Sequence, residues 1–428
     1  MAGRAEIEAL QLGRLRALIS EIRCDNAFYR GRLEDSGFES GDDIASLADF
    51  SARMPFTTKM DLVWDREEFP PYGSNLTYPL ERYARYCQSS GTTSIPLPWL
   101  DTPESWSAML DCWDRVYEAA AVSPADVVFF AFSFGPFLGF WTAFDAATRR
   151  GNLAIPSGGL SSQARLQMMA TNHATVLCCT PTYAVRLGEV YAAQDKAELG
   201  EIPLRKIIVA GEPGGSIPEV RKRIESLWPG ARVFDHHGMT EVGPVTYESP
   251  AKSQNLCVIE EAYFAEILDR DTEQEVKPGE RGELVITTLN RTACPLLRYR
   301  TGDLVQKAWT DDPEGTRRLT LEGGILGRVD EMVVIRGVNI YPTAIEKIIR
   351  GFPEVAEFQV TQMTRQSMAE LEIAVEPLDS SPTCAGLDER ITKALHNAFA
   401  LRIPVQLVAP NSLPRFEFKS KRWVKQEG

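Results

Sequence analysis

No stretch of this sequence approaches the ~20 consecutive apolar residues of a membrane-spanning helix, so no membrane partner is expected. Residues Met1 to Leu12 mix Arg and Glu with alanine and lack the apolar core of a secretory signal. Cysteine is sparse. The eight residues, Cys24, Cys87, Cys112, Cys178, Cys179, Cys257, Cys294 and Cys384, form no Cys-x-x-Cys pair and fall far short of a disulfide scaffold. A soluble protein of a reducing cytoplasm is the expectation. Basic charge is in the minority: 46 Lys and Arg against 59 Asp and Glu leave a net charge of −13. That balance argues against a nucleic-acid partner, whose phosphates need clustered cations, while leaving room for a local basic pocket. Internal repeats and low-complexity tracts are absent too.

What is present is ample apolar material, 44% of 428 residues, with 25% charged. At ~100–200 residues per domain, that supports about two to four packed units and excludes bulk disorder. Ile7, Leu10, Leu15, Ile19 and Ile22 recur at helical spacing, predicting one or two opening helices over 5–33. A Ser/Gly/Thr cluster at 88–94 precedes a helical segment, 102–121. Strand and helix signals then alternate: strands 127–132, 174–179, 206–210 and 232–235, with helices 137–149, 182–195 and 218–228 between them. Such alternation predicts an α/β domain with a parallel sheet, whose ligands gather beyond the strands' carboxyl ends. After residue 257, segments 264–268 and 282–288 suggest an antiparallel, barrel-like section. A boundary is expected at Gly327 to Glu331, giving a large unit, 1–329, and a small mobile α+β unit, 330–428.

Five stretches carry chemistry. Gln88-Ser89-Ser90-Gly91-Thr92-Thr93-Ser94-Ile95-Pro96 offers hydroxyls and bare amides suited to phosphate oxygens, and also reads as an exposed Ser/Thr loop. Val209-Ala210-Gly211-Glu212-Pro213-Gly214-Gly215-Ser216 is a strand-to-helix turn that can cradle a nucleotide or simply turn. In Asp235-His236-His237-Gly238-Met239-Thr240-Glu241, Glu241 could hold Mg²⁺, Thr240 could bond an α-phosphate and His237 could lie against a purine; a satisfied loop histidine is the plain alternative. Asp303, in Arg298-Tyr299-Arg300-Thr301-Gly302-Asp303, can accept hydrogen bonds from ribose hydroxyls or from its own turn. Pro414-Arg415-Phe416-Glu417-Phe418-Lys419 ends the chain with cations that can meet developing phosphate charge or form a basic tail.

These motifs, in this order, resemble the adenylate-forming ligases, and most closely their phenylacetate–CoA ligase branch, from about residue 50 to the end. Tyr86-Cys87-Gln88-Ser89-Ser90-Gly91-Thr92-Thr93, Leu297 to Asp303, and Ile335-Arg336-Gly337-Val338-Asn339-Ile340-Tyr341-Pro342 carry the likeness most clearly. The resemblance implies a two-step reaction with ATP, Mg²⁺ and CoA: an acid forms acyl-AMP, and a thiol then displaces AMP. By the same resemblance, Ser89, Ser90, Gly91, Thr92 and Thr93 grip pyrophosphate, Thr240 contacts the α-phosphate and Glu241 holds Mg²⁺. Gly211, Glu212 and Pro213 lie beside adenine, Asp235 and His237 belong to the nucleotide site, Asp303 binds ribose and Arg328 positions the nucleotide. Lys419 is the adenylation lysine, Asp330 the hinge, and Gly337 and Asn339 belong to the thiol tunnel. Ser133, Phe134, Phe137, Tyr183, Ala210, Gly214, His236 and Gly238 are the candidates for an aryl-acid pocket. A homodimer is the branch's common state.

The sequence departs from the family pattern where Ser94-Ile95 replaces a glycine and a polar residue, His237 replaces a tyrosine and Phe418 replaces the glycine before Lys419. Cys257, Cys294, His236 and Glu248 are the candidates for a structural zinc but lack compact ligand spacing. The leading expectation is an aryl-acid–CoA ligase. Its rivals are an adenylating enzyme serving a carrier protein or a second aromatic molecule, and a weakly active ligand-binding homologue.

Overall fold

The computed structural model describes residues 2–89, 96–195, 199–335, 338–365, 368–378, 386–416 and 420–426. Five parallel strands stand in the spatial order Leu153–Pro156, Val127–Phe130, Val176–Cys179, Lys206–Val209, Arg232–Asp235. The chain leaves the Val127–Phe130 strand in one direction and returns on its other side, making a switch point of the kind where α/β sheets bind ligands. Both faces of the central strands are covered, so Val127–Phe130 and Val176–Cys179 are continuously apolar. Val128 and Phe130 point into a core shared with the helices Pro103–Ala119 and Trp141–Arg149. Phe129 and Ala131 point the other way, into a core with Ser162–Thr171 and Pro181–Ala192. Thr102 and Thr180 cap the helices that begin at Pro103 and Pro181, each side chain accepting a backbone N–H three residues on.

The strand expected at 127–132 ends at Phe130, and the helix expected from 137 begins at Trp141. Residues 131–140 are a loop because the backbone turns there: Phe134 has φ +51° and Gly139 φ +26°. Pro136 turns its carbonyl to Gln88 N, 2.6 Å away. That bond ties this loop to the strand leading into 88–94.

The expected barrel-like section is a seven-stranded antiparallel sheet that includes Tyr263–Leu268, Arg281–Thr288 and the 13-residue strand Tyr299–Asp311. The opening helices, Ala2–Asp25 and Ala27–Asp35, bury Leu15, Leu18, Ile19, Ile22 and Tyr29 in a core that includes Leu289 and Leu297 of that region. The C-terminal unit has its own core, built around Ile345, Phe358, Ile373 and Leu395. There the hairpin Val355–Arg365 and Met368–Pro377 is flanked by the parallel strands Trp423–Gln426 and Val405–Leu407. No helix among the described residues is long and apolar enough to cross a membrane.

Candidate active site

The loops beyond the carboxyl ends of the parallel strands converge with one edge of the antiparallel sheet. The chain leaves the Arg232–Asp235 strand through His236 and His237, then makes a hairpin, Gly238–Met239 with Gly243–Pro244, whose turn holds Thr240, Glu241 and Val242. A buried bidentate ion pair fixes that turn. Arg291 reaches Asp101 at 2.7 and 2.6 Å, and its remaining N–H donates to the carbonyls of Thr240 (2.9 Å) and Glu241 (2.7 Å). Burying this pair costs desolvation, and losing one partner would strand the other, so the turn is strongly held. Glu241 is buried, yet its carboxylate has no hydrogen-bond or ion-pair partner among the described residues. A buried carboxylate with open oxygens fits the single protein ligand that Mg²⁺ commonly takes beside phosphates.

Asp303 sits opposite Arg328 across a strand pair, and Arg328 Nη1 donates to its Oδ1 at 3.3 Å. Asp303 Oδ2 lies 3.2 Å from His237 Nε2, but out of alignment. Both atoms are buried without a hydrogen-bond partner among the described residues. Two facing buried polar atoms of this kind call for a hydrogen-bond partner such as water or a ligand. Tyr299 is buried with Glu241, Arg328 and Asp303 around it; burial first, then the two carboxylates, hold its phenol well above its usual pKa. Gly302 has φ +75°, and a Cβ there would approach Arg328 Nη2 to 3.2 Å.

Asp235 and Glu212 differ from the sequence expectation. Both Asp235 oxygens are already used, one accepting from Ser216 Oγ (2.5 Å) and one from His236 N (3.0 Å). Asp235 therefore shapes the loop rather than presenting a free acceptor. Both carboxylate oxygens of Glu212 are likewise committed: its Oε1 accepts from Thr182 N (2.9 Å) and its Oε2 from Ser420 N (2.8 Å). Gly211 and Gly214 of the same loop have φ +93° and +151°, and a Cβ on Gly214 would come within 2.6 Å of Pro181.

His236 meets an aromatic wall. Its ring lies 4.5 Å from Trp113, which leads to Phe140 at 6.0 Å and on to Phe132, stacked on Phe134 at 4.0 Å. His236 Nδ1 is 2.6 Å from the carbonyl of Thr246, so the ring must donate there and leave Nε2 as an acceptor. Burial pushes its pKa down to about 4, keeping the ring neutral at pH 7. Ser133 and Phe134 lie half-buried on the 131–140 loop, and Ala210 and Gly238 are half-buried nearby in the chain's turns. Two pocket candidates do not fit. Phe137 is exposed, because the loop turns it outward. Tyr183 is fully buried on the other side of the sheet, its hydroxyl 3.0 Å from Ser162 Oγ and its ring beneath Arg165; it is a core residue.

Ser89 closes the neck of the 88–94 loop, its hydroxyl accepting from Leu97 N at 2.9 Å. Ser90, Gly91, Thr92, Thr93, Gly337 and Lys419 lie outside the described residues. Asp330 stands in the short turn Val329–Glu331, and Asn339 pairs through its backbone with Val334. The zinc candidates are apart in role: Glu248 pairs with Arg221, Cys257 faces Thr320, and no group of three metal-ligating side chains occurs among the described residues. No motif marks Asp101 or Arg291, whose pairing joins residues 190 positions apart, and Tyr299 carries no polar role within its own motif.

Residues 75–292 match the family model for AMP-binding enzyme, and residues 337–426 that for the AMP-binding enzyme C-terminal domain. Across 97% of its length the chain is 30% identical to phenylacetate-coenzyme A ligase of Escherichia coli (strain K12), covering 94% of that protein. It is 29% identical to phenylacetate-coenzyme A ligase of Thermus thermophilus, covering 97% of this chain and 95% of that one. Among solved structures, 2-hydroxyisobutyryl-CoA ligase in the postadenylation state, in complex with 2-HIB-AMP, aligns over 99% of this chain and 90% of its own at 28% identity, with a TM-score of 0.90. The same ligase with 2-HIB-AMP and CoA in the thioesterification state, at 29% identity and the same coverage, gives 0.71.

Proposed function

The chain belongs to the AMP-binding enzyme family, and on that premise we propose that it is an AMP-forming acid–thiol ligase that activates an aryl carboxylic acid with ATP and passes the acyl group to CoA. The acid is of the phenylacetate, benzoate or amino- or hydroxybenzoate type. Its carboxylate attacks the α-phosphate, pyrophosphate leaves, and the CoA thiol then displaces AMP from the acyl carbon.

One observation carries this reading. Residues 236–241 are a single short segment whose first residue packs on the aromatic wall and whose later residues, with Asp303, present the open polar groups. An aromatic acid lying against Trp113 and Phe134 therefore ends beside the groups that suit a nucleotide phosphate. Holding both reactants in such a geometry supplies much of the catalysis, because the alternative is a rare encounter in water. Asp303 Oδ2 and His237 Nε2 receive the ribose hydroxyls, Arg328 orients Asp303, and Thr240 donates to an α-phosphate oxygen. Bound at Glu241, Mg²⁺ supplies neutralisation of phosphate charge. Ser89 to Thr93 grip the leaving pyrophosphate. Lys419 supplies the charge between carboxylate and α-phosphate, where only the transition state needs it.

The neutral His236 refines the acid. With Nδ1 committed to Thr246, its Nε2 can only accept, so it favours a ring substituent that donates, such as an amino or hydroxyl group. The chain divides at 329/330 with Asp330 as hinge, and Gly337 and Asn339 line the thiol path once the C-terminal unit has turned. The closer likeness to a postadenylation structure than to a thioesterification one supports reading the present arrangement as the adenylation side of that turn.

The test is a mass-spectrometric product screen with ATP, Mg²⁺, CoA and a panel of phenylacetates and benzoates. The expected product is an aryl-CoA thioester, formed fastest from amino- or hydroxy-substituted acids and absent without CoA. Acyl-AMP that accumulates with no thioester in the presence of CoA would move the acceptor to a carrier protein or a second small molecule.

A further inference from the structure

Glu212 stands in the loop that follows the Lys206–Val209 strand, and both of its oxygens are spent on backbone donors from two different units. Oε1 takes Thr182 N, in the first turn of the Pro181–Ala192 helix, and Oε2 takes Ser420 N, in the C-terminal segment. A carboxylate at a helix N-terminus is favoured by the exposed amides and the helix dipole, and each bond is charge-assisted. Thr182 is used a second time, its Oγ1 lying 3.4 Å from Arg422 Nη1. Arg422 is buried and held on the C-terminal side by Glu357 (2.7 and 3.2 Å) and Glu346 (3.1 Å). The chain segment between these two contacts is short, and the residue before Ser420 is Lys419.

We propose that Glu212 is a latch: it docks the C-terminal unit on the Pro181–Ala192 helix in the adenylation arrangement by holding the chain at Ser420, the residue that follows Lys419 in the sequence. This rests on the two-step reading above. Glu212 acts through Ser420 and touches neither substrate, which makes it a positioning residue. Its partner on the moving side is a backbone N–H, so the contact depends on where the segment lies and not on the side chain at 420. When the C-terminal unit turns for the thioester step, Ser420 N leaves Glu212, while Thr182 N stays with it. The latch therefore favours the first half-reaction and has no part in the second. Glycine at 211 and 214 lets the loop bend enough to aim the carboxylate across the interface, since both take positive φ.

The experiment compares the full-length protein with Glu212→Gln and Glu212→Ala. Glu212→Gln keeps the side-chain shape but offers an N–H₂ where one of the two amides needs an acceptor. The first readout is trypsin cleavage at Lys419, Lys421 and Arg422 in protein without ligands. The second separates the half-reactions: acid-dependent pyrophosphate release, and thioester formation from added acyl adenylate and CoA. The latch expects faster cleavage in both variants and adenylation slowed ~10-fold or more through kcat, from the loss of a charge-assisted bond. Thioester formation from the added adenylate stays at the wild-type rate. Wild-type cleavage in Glu212→Gln overturns the latch whether or not any acid is turned over. A rise in the KM for ATP with unchanged cleavage would instead make Glu212 a nucleotide-binding residue and overturn it too. Should the wild type adenylate no acid at all, the cleavage arm still decides the latch, while the proposed activity fails separately.

Discussion

Asp235 and His236 are neighbours in the chain, both buried, and perturbed in opposite directions. Burial, reinforced by Glu248 and opposed by the Ser216 hydrogen bond, raises the Asp235 carboxyl to about 6; burial lowers the His236 imidazole to about 4. As pH falls from 6.5 to 4, the unfolded chain protonates its histidine before the folded one does, and stability is lost. As pH falls from 6 to 3.8, folded Asp235 takes up a proton that the unfolded carboxylate does not, and stability is gained. The two nearly cancel in the wild type. In Asp235→Asn the gain disappears, so between pH 6 and 4 unfolding free energy should fall by about 2–3 kcal/mol more than in the wild type. Urea titrations at the two pH values measure this, and parallel losses in both proteins would contradict it. At this scale the sequence showed which residue types stand in each motif, and Glu241, His237 and Asp303 do come together. It could not show where a side chain turns: Glu212 faces another unit, and Tyr183 faces a core. Nor could it show Arg291 beneath Thr240 and Glu241, because its partner Asp101 is 190 positions away and shares no motif with it.

At the scale of elements, apolar runs bounded by Gly and Pro were enough to place four of the five parallel strands and the antiparallel section, whereas the edge strand Leu153–Pro156, half open to solvent, carries too short an apolar run to be read. They misplaced the start of the Trp141–Arg149 helix, because Phe134 and Gly139 take turn conformations that no periodicity signals. The hairpin carrying Thr240 and Glu241 shows the same kind of local demand. Gly243 has φ +98°, and a Cβ would lie 2.9 Å from Tyr263 Oη and 3.0 Å from Met109 Sδ. Gly230 has φ +90° but open space around it. Gly230→Ala should therefore cost only the backbone part, about 1 kcal/mol, whereas Gly243→Ala adds crowding and should cost about 2–4 kcal/mol. Denaturant unfolding of the two variants checks this; equal losses would mean that the close approach at Gly243 is relieved at no cost.

At the scale of the molecule, two units with separate cores meet across the loops that carry the polar groups. That a small α+β unit follows the antiparallel strands was legible, because the pattern of apolar residues changes after them. How the units dock was not, since it depends on contacts such as Glu212 with Ser420 that join residues 208 positions apart. In the proposed function the aromatic wall and the open acceptors of Asp303 and Glu241 belong to one unit, and Lys419 belongs to the sequence of the other. Under that proposal these groups activate a carboxylic acid with ATP. Pyrophosphate release with ATP and Mg²⁺, with and without an aryl acid, and in Lys419→Ala as well as the wild type, tests it most directly. The expected release depends on the acid, precedes any need for CoA, and falls by at least ~100-fold in Lys419→Ala. Release that ignores the acid, or that persists unchanged in Lys419→Ala, would contradict it.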